Sequence, residues 1–275
     1  MRPVLRYHGG KFRIAPWIIE RMPEHRIYVE PFGGAGSVLM RKPPSFGEIL
    51  NDLDGDVVNV FQVLRDPAAA ERLADLCRLT PFSRDEFRLS YEPTDDPVEQ
   101  ARRTVFRSFA AFGSSSRSNR RTGFRANAFR ERHPEPMAWA RWPEHIRRYV
   151  DRLRGVVIES RPGLEVIAQQ DRPDALFYCD PPYPLSTRTS IRCDGDIGRA
   201  YSHEMTDEDH RELAGVLHAI KGMAMISGYR CELYDEEYSS WERHDVPTQA
   251  DGGVHRVDSL WLNAAAVAAR RGLFT

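Results

Sequence analysis

Short apolar segments, bounded by turn residues, recur along the chain and alternate with longer segments whose apolar residues have helical spacing. The short segments predict strands at residues 26–30, 48–51, 156–159, 176–179, 223–227, 241–246 and 256–262. Helices are predicted at residues 15–22, from near Ser37, around residues 57–64, between the strands at 156–159 and 176–179, at 206–220 and in the tail at 264–270. Strands that alternate with helices in this way are typical of an α/β fold.

The alternation stops between residues 67 and 153, where the apolar spacing is helical throughout. A polar stretch at residues 113–132 separates two of these helical patterns. We therefore predict one α/β domain, formed by residues 1–65 and 155–275 and interrupted by a helical insertion at residues 66–154.

Composition excludes several classes of protein. The net charge of the 275-residue chain is −1, so any nucleic-acid surface requires local segregation of charge. Its four cysteines are scattered, which argues against a structural zinc site or a disulfide framework and favours a reducing cytoplasm. Because the sequence has neither a long apolar run nor a signal-peptide pattern, we expect no membrane association.

The clearest chemical signal follows the predicted strand at 176–179, which ends at Asp180-Pro181-Pro182-Tyr183. Two prolines cannot continue a sheet ladder, so the Asp180 carboxylate and the Pro181 carbonyl form a rigid set of acceptors at the carboxyl end of a strand. Tyr183 would supply a flat face beside them. This set suits a planar amine such as that of a nucleobase, although a proline-capped turn explains the bare motif about as well.

A glycine-rich turn, Glu30-Pro31-Phe32-Gly33-Gly34-Ala35-Gly36, follows the first predicted strand. Its spacing differs from that of dinucleotide-binding loops, and Asp52 at the end of the second strand can accept hydrogen bonds from ribose hydroxyls. A glycine turn and an acid without the pyrophosphate spacing favour an adenosyl ligand that lacks phosphates, such as S-adenosylmethionine.

The order of these motifs resembles that of the Dam-type, α-class N6-adenine DNA methyltransferases, which carry a DPPY motif. The segment from Tyr7 to Lys11 (YHGGK) and the segment from His255 to Leu260 are similar to the first and last motifs of that family. The resemblance implies a Rossmann-like, mostly parallel sheet with a reversed last strand and a helical target-recognition insertion. It also implies a set of cofactor contacts: Tyr7, Lys11, Glu30, Phe32, Gly33, Gly34, Gly36, Asp52 and Asp180.

The implied reaction moves a methyl group from S-adenosylmethionine to the N6 amine of an adenine in double-stranded DNA. A methylsulfonium is already activated, so the enzyme needs neither a metal nor a covalent nucleophile and works by aligning the reactants. Asp180 and the Pro181 carbonyl would accept from the amine, and Tyr183 would stack on a base that has been flipped out of the duplex.

The insertion is the expected DNA-binding surface. Arginines are abundant between residues 102 and 132, where Glu131 is the only acid, and arginine both neutralises phosphates and reads guanine. The residues expected to contact DNA are Arg117, Arg120, Arg121 and Arg125. The protein is expected to be a monomer or weak dimer, with a restriction endonuclease as a possible partner.

Two alternatives stay open. An N4-cytosine or other amino methyltransferase would share most of these motifs, although Asp180 favours adenine because the related motifs tend to begin with Ser or Asn. A DNA-binding protein with an inactive methyltransferase fold is the second alternative, against which the intact Lys11, Asp52, Asp180 and Tyr183 argue.

Overall fold

A seven-stranded sheet forms the centre of the computed structural model, which describes residues 3–6, 10–111, 123–126, 135–187, 203–249 and 255–272. The strands are β1 Ile27–Glu30, β2 Gly47–Asn51, β3 Val156–Glu159, β4 Ala175–Cys179, β5 Met223–Tyr229, β6 Glu242–Gln249 and β7 His255–Leu262, in the order β3-β2-β1-β4-β5-β7-β6. The first five are parallel, and β7 runs antiparallel to both β5 and β6. The predicted mostly parallel sheet with a reversed last strand is confirmed.

Helices cover both faces of this sheet. They are α1 Ala15–Ile19, α2 Gly55–Arg65, α3 Pro67–Leu79, α4 Arg84–Leu89, α5 Pro97–Ala110, α6 Glu135–Ala140, α7 Ile146–Leu153, α8 Gly163–Gln170, α9 Asp207–Ala219, α10 Glu232–Glu237 and α11 Ala264–Gly272, with 3₁₀ turns at Trp142–His145 and Leu185–Thr187. Side chains alternate across each strand, so Tyr28 and Val29 enter different cores, as do Tyr178 and Phe177. Strands buried on both faces read as continuous apolar runs, which explains why β4 is visible in the sequence.

The helices between α2 and β3 share a core with the sheet. Leu73 of α3, Phe106 of α5 and Tyr149 of α7 belong to the same buried cluster as Phe61 of α2 and Tyr28 of β1. This helical region therefore packs on the sheet as a continuation of one face. The exact domain boundaries, after residues 65 and 154, stay a prediction.

The helix predicted to begin near Ser37 is wrong. Residues 34–41 form successive turns instead, with single helical hydrogen bonds such as the one from the Met40 N–H to the Gly36 carbonyl. The Leu39 N–H, which would have no backbone partner in the first turn of a helix from Ser37, donates to the Glu30 carboxylate at 2.6 Å. Pro43 and Pro44 follow Lys42 and end the segment before a regular series of helical bonds can form.

Candidate active site

A cavity of about 380 Å³ opens at the carboxyl ends of the parallel strands, where the glycine-rich turn after β1 meets the Asp-Pro-Pro-Tyr segment after β4. Parallel neighbours end at the same edge of the sheet, so the two motifs converge although they are far apart in sequence. The predicted cofactor residues that line the cavity are Lys11, Glu30, Phe32, Gly33, Gly34, Asp52 and Asp180. Gly36 lies outside this lining, and Tyr7 lies outside the described residues.

The glycine-rich turn is held against β2 by its backbone. Gly33 donates its N–H to the Asn51 carbonyl at 2.7 Å, and a Cβ at this position would lie 2.4 Å from Leu50 Cδ1. Gly34 and Gly36 have φ values of 48° and 59°, a region that favours glycine. The sequence therefore needs glycines here for close approach to β2 and for the turn itself.

Asp52 contributes both to the shape of the turn and to the charge of the cavity. One carboxylate oxygen accepts the Gly34 N–H at 2.7 Å, and the other accepts the Asp54 N–H at 2.8 Å. These bonds fix the carboxylate at the cavity wall beside the glycine turn. It is thus held in one orientation while it faces the space that a ligand would fill.

Glu30 is buried at the end of β1 and lines the same cavity. It accepts hydrogen bonds from the Tyr28 hydroxyl at 2.7 Å and from the Leu39 N–H at 2.6 Å. Burial raises the pKa of Glu30 to about 7, against the opposing effect of these two donors. Its charge therefore changes near neutral pH.

Asp180 stands at the end of β4 with two partners. Its Oδ1 accepts the Ser227 hydroxyl from β5 at 2.8 Å and lies 3.0 Å from the Lys11 Nζ. Lys11 is buried, lies 3.8 Å from Asp258 Oδ1 on β7, and approaches the Tyr183 ring centroid to 4.6 Å. One ammonium group therefore joins two carboxylates and an aromatic ring.

The residues after Asp180 divide between the cavity and the interior. Pro182 lines the cavity, whereas Pro181 and Tyr183 are buried and outside its lining. The Tyr183 hydroxyl donates to Asp258 at 3.2 Å, and its ring makes an edge contact with Tyr229 at 4.7 Å between centroids. The predicted stacking of Tyr183 on a base stays a prediction.

Several lining residues were missed by the sequence reasoning. Pro162, Gly163 and Leu164 approach from the start of α8, and a Cβ on Gly163 would lie 2.9 Å from the Phe32 ring, so a side chain there would require the ring to shift. The remaining missed residues are Ala35, Ser37, Val38, Leu53, Asp54, Tyr178, His203, Glu204, Met205, Asp209 and Glu212, together with Gly10 and Pro31 from the edges of the predicted motifs. The position of α8 could have been inferred, because the connection after every parallel strand starts at this edge.

The cavity is strongly acidic. Seven carboxylates line it, from Glu30, Asp52, Asp54, Asp180, Glu204, Asp209 and Glu212, whereas Lys11 and His203 are the basic side chains among the described lining residues. Such a wall attracts cations and repels phosphates. A cationic ligand without phosphates fits it best.

The structure describes one of the four predicted DNA-binding arginines. Arg117, Arg120 and Arg121 lie outside the described residues, whereas Arg125 donates from Nε to the Ala111 carbonyl at 2.6 Å and lies 3.2 Å from the buried Glu135. Arg125 therefore holds the chain near residue 125 against the C-terminal end of α5. Whether any of the four arginines contacts a base stays a prediction.

Among the described residues, no group of three or more His, Cys, Asp or Glu side chains could hold a metal ion. In the same parts of the chain, every helix is too short or too polar to cross a membrane.

Comparison with known families gives one match that spans most of the chain. A family model described as "D12 class N6 adenine-specific DNA methyltransferase" matches residues 7–251. The DNA adenine methylase of Vibrio cholerae serotype O1 is 27% identical over 198 residues, which cover 69% of this chain and 68% of that protein.

Two further relatives extend over nearly the whole length. The type II methyltransferase M1.LlaDCHI of Lactococcus lactis subsp. cremoris is 26% identical over 272 residues, covering 92% of this chain and 90% of its own. The DNA adenine methylase of Escherichia coli K12 is 24% identical over 278 residues, covering 94% of each.

Proposed function

Because the chain belongs to the D12 class of N6 adenine-specific DNA methyltransferases, we propose that the acidic cavity binds S-adenosylmethionine, which supplies an activated methyl group for adenine in DNA. The single observation that carries this proposal is the convergence of two motifs on one cavity. The glycine-rich turn forms one wall, and Asp180, an acceptor suited to an amine, stands at the other.

Size and charge both fit this cofactor. A volume of about 380 Å³ lies within the usual range for small-ligand sites. S-adenosylmethionine carries a sulfonium, an ammonium and a carboxylate, so its net charge complements the seven acids of the wall. A nucleotide ligand with phosphates would be repelled by the same wall. Among the residues, Asp52 would hold the ribose hydroxyls, and Lys11 would pair with the carboxylate of the methionyl moiety.

Asp180 acts on the target amine. The lone pair of an adenine amine is delocalised into the ring, and acceptors for its N–H groups favour a pyramidal nitrogen with an available lone pair. Asp180 Oδ1 is fixed by Ser227, so the carboxylate is positioned before the amine arrives. The Pro181 carbonyl would accept the second N–H, and the proton released after transfer passes to water.

The helical region at residues 66–154 would recognise the DNA. An adenine inside a duplex cannot present its amine at the cavity, so the base is flipped out and Tyr183 packs against it. Arg117, Arg120, Arg121 and Arg125 would divide between phosphate and base contacts. One relative is named a type II methyltransferase, which supports a restriction–modification context for this enzyme.

Methyl incorporation is the direct test. The purified protein, supplied with tritium-labelled S-adenosylmethionine and unmethylated duplex DNA, should label the DNA. Digestion to nucleosides should place the label in N6-methyladenine. Label in N4-methylcytosine would favour the alternative substrate, and specific DNA binding without label would favour an inactive methyltransferase fold.

A further inference from the structure

We propose that Asp258, on β7, is a positioning residue for methyl transfer, which holds Lys11 and Tyr183 in place while Asp180 receives the target amine. This inference rests on the proposed roles of Asp180 and Lys11. It adds a residue from the reversed strand of the sheet to a site otherwise built from the parallel strands and the N-terminal segment.

The contacts of Asp258 connect three segments. Its Oδ1 accepts the Tyr183 hydroxyl at 3.2 Å and lies 3.8 Å from Lys11 Nζ, and its Oδ2 accepts the Thr248 hydroxyl from β6 at 2.7 Å. The side chain is only 10% exposed, so these contacts form away from bulk water, where electrostatic interactions are strong. The Asp258 carboxylate is thus fixed on both oxygens and presents its charge to Lys11.

Competition for Lys11 explains why a second carboxylate is useful. Without Asp258, the ammonium of Lys11 would pair with Asp180 alone of these two acids, and that ion pair would compete with the incoming amine for the Asp180 carboxylate. With Asp258 present, the positive charge of Lys11 is shared between the two acids, so Lys11 competes less with the amine while Ser227 keeps Asp180 in position.

The hydrogen bond to Asp258 also fixes the position of the Tyr183 hydroxyl. This ring contacts both the Lys11 ammonium and Tyr229, and rotation about its Cα–Cβ bond would break the hydroxyl bond to Asp258. Because Tyr183 directly follows the two prolines after Asp180, its orientation and that of Asp180 are coupled through a stiff backbone. Asp258 therefore acts on the reaction through Lys11 and Tyr183 and does not itself touch the reacting atoms.

Asp258→Asn tests the proposal, because it keeps the shape and removes the charge. We expect its single-turnover rate of methyl transfer, at saturating cofactor and DNA, to fall by about 10- to 100-fold. The dissociation constant for DNA should stay unchanged. The matched control is Asp245→Asn on the adjacent strand β6, where the carboxylate accepts the Ser259 hydroxyl at 2.8 Å. This substitution should leave the rate of methyl transfer unchanged.

A double-mutant cycle separates positioning from general destabilisation. If Asp258 works partly through the Tyr183 hydroxyl, Tyr183→Phe should lower the rate by less in the Asp258→Asn background than in the wild type. Thr248→Val removes the hydroxyl that donates to Asp258 Oδ2 and keeps the charge of Asp258, so it should lower the rate several-fold. If Asp258→Asn does not fold, Thr248→Val still tests the proposal.

Equal rates for Asp258→Asn and the wild type, or wild-type rates for both Thr248→Val and Tyr183→Phe, would overturn the proposal. Additive losses in the cycle would also overturn it, since a purely structural role predicts them. A wild-type protein that labels no DNA would instead reject the proposed function, so the two failures are distinguishable.

Discussion

Asp180, the proposed acceptor of the target amine, is held in position by Ser227 and Lys11. Replacing it with alanine removes the acceptor for the target amine, and we expect methyl transfer to fall by at least about 100-fold. Binding of duplex DNA, measured by fluorescence anisotropy, should stay close to that of the wild type. Asp174→Asn, at the opposite end of β4 and paired with Arg172, is the matched control. Transfer at the wild-type rate in Asp180→Ala would remove Asp180 from the reaction.

Asp52 is expected to bind the cofactor ribose. Asp52→Ala should weaken the affinity for S-adenosylhomocysteine by about 1.5–3 kcal/mol, because a charged acceptor is lost. Titration calorimetry measures this directly. Asp66→Asn, which replaces the N-cap of α3 outside the cavity lining, should leave the affinity unchanged. If both variants bind as the wild type does, the ribose is held elsewhere.

Glu30 makes the stability of the protein depend on pH. Its pKa is raised from 4.5 to about 7 in the folded state, so the folded protein binds this proton more tightly than the unfolded chain does. Stability from this group is therefore fully present below about pH 4.5 and is lost as the pH rises through about 7.

Glu30→Gln removes this titration while keeping an acceptor for Tyr28 and Leu39. The free energy of unfolding of Glu30→Gln, relative to the wild type, should rise by about 2–3 kcal/mol between pH 5 and pH 8. Urea unfolding at a series of pH values measures it. A difference that is constant across this range would mean that Glu30 titrates at its ordinary pKa.

At the scale of elements, the contact between the start of α8 and the glycine-rich turn shapes the cavity. A Cβ on Gly163 would lie 2.9 Å from the Phe32 ring and 3.3 Å from the Pro31 carbonyl. Gly163→Ala should therefore destabilise the protein by about 1–3 kcal/mol and weaken cofactor binding, since Phe32 lines the cavity.

Gly215→Ala is the matched control for this substitution. Gly215 lies within α9, and a Cβ there would meet nothing within 4 Å. The change should stabilise the protein by about 0.5–1 kcal/mol, because alanine loses less backbone entropy in a helix. Urea unfolding of both variants gives the comparison. If Gly163→Ala and Gly215→Ala change the free energy of unfolding equally, the Phe32 ring moves aside easily.

Elements with a clear local pattern could be predicted from the sequence. The buried strands were recognised because residues such as those of β4 are apolar on both faces, and the start of α9 because Thr206 and Asp209 form a capping box. The helix expected near Ser37 is wrong because Pro43 and Pro44 end that segment after only a few residues, which form turns instead. Apolar spacing alone does not account for these prolines.

In the candidate site, too, some residues could be recognised in the sequence and others are brought together only by the fold. The glycine-rich turn, Asp52 and Asp180 carried recognisable chemistry in the sequence, and all three lie at the cavity. Ser227 and Asp258 were not predicted to act there, because their proximity to Asp180 and Lys11 depends on the order β4-β5-β7. Strand order is a property of the folded sheet and is absent from the spacing of residues along the chain.

At the scale of the whole molecule, charge is segregated between an acidic cavity and an arginine-rich stretch, within a chain of net charge −1. Arg117→Ala, Arg120→Ala and Arg121→Ala should each weaken binding to duplex DNA in one of two ways. Each loss of a phosphate contact should reduce the salt slope of DNA binding by about one, whereas each loss of a base contact should lower discrimination at one position by about 1–3 kcal/mol.

Arg125→Ala should also lower the stability of the folded protein. Its side chain bonds to the Ala111 carbonyl and pairs with the buried Glu135, so its loss should cost about 1–3 kcal/mol of stability. Thermal unfolding, together with binding to cognate and scrambled duplexes at several salt concentrations, measures both effects. An Arg125→Ala protein as stable as the wild type would contradict the structural role of Arg125. If all four variants lose affinity equally for cognate and scrambled duplexes, other residues determine the target sequence.

The way the chain is fastened around residues 112–122 bears on how such an enzyme can diversify. Ala111 pairs with Phe124, and the Arg125 N–H bonds to the Ala110 carbonyl at 2.8 Å, so the segment begins and ends at neighbouring points of one rigid frame. The surrounding helices, by contrast, share their core with the sheet and cannot be exchanged as a unit. Three of the arginines proposed to contact DNA belong to residues 112–122, so we expect that a laboratory library of substitutions there changes the target sequence while the catalytic scaffold is inherited intact.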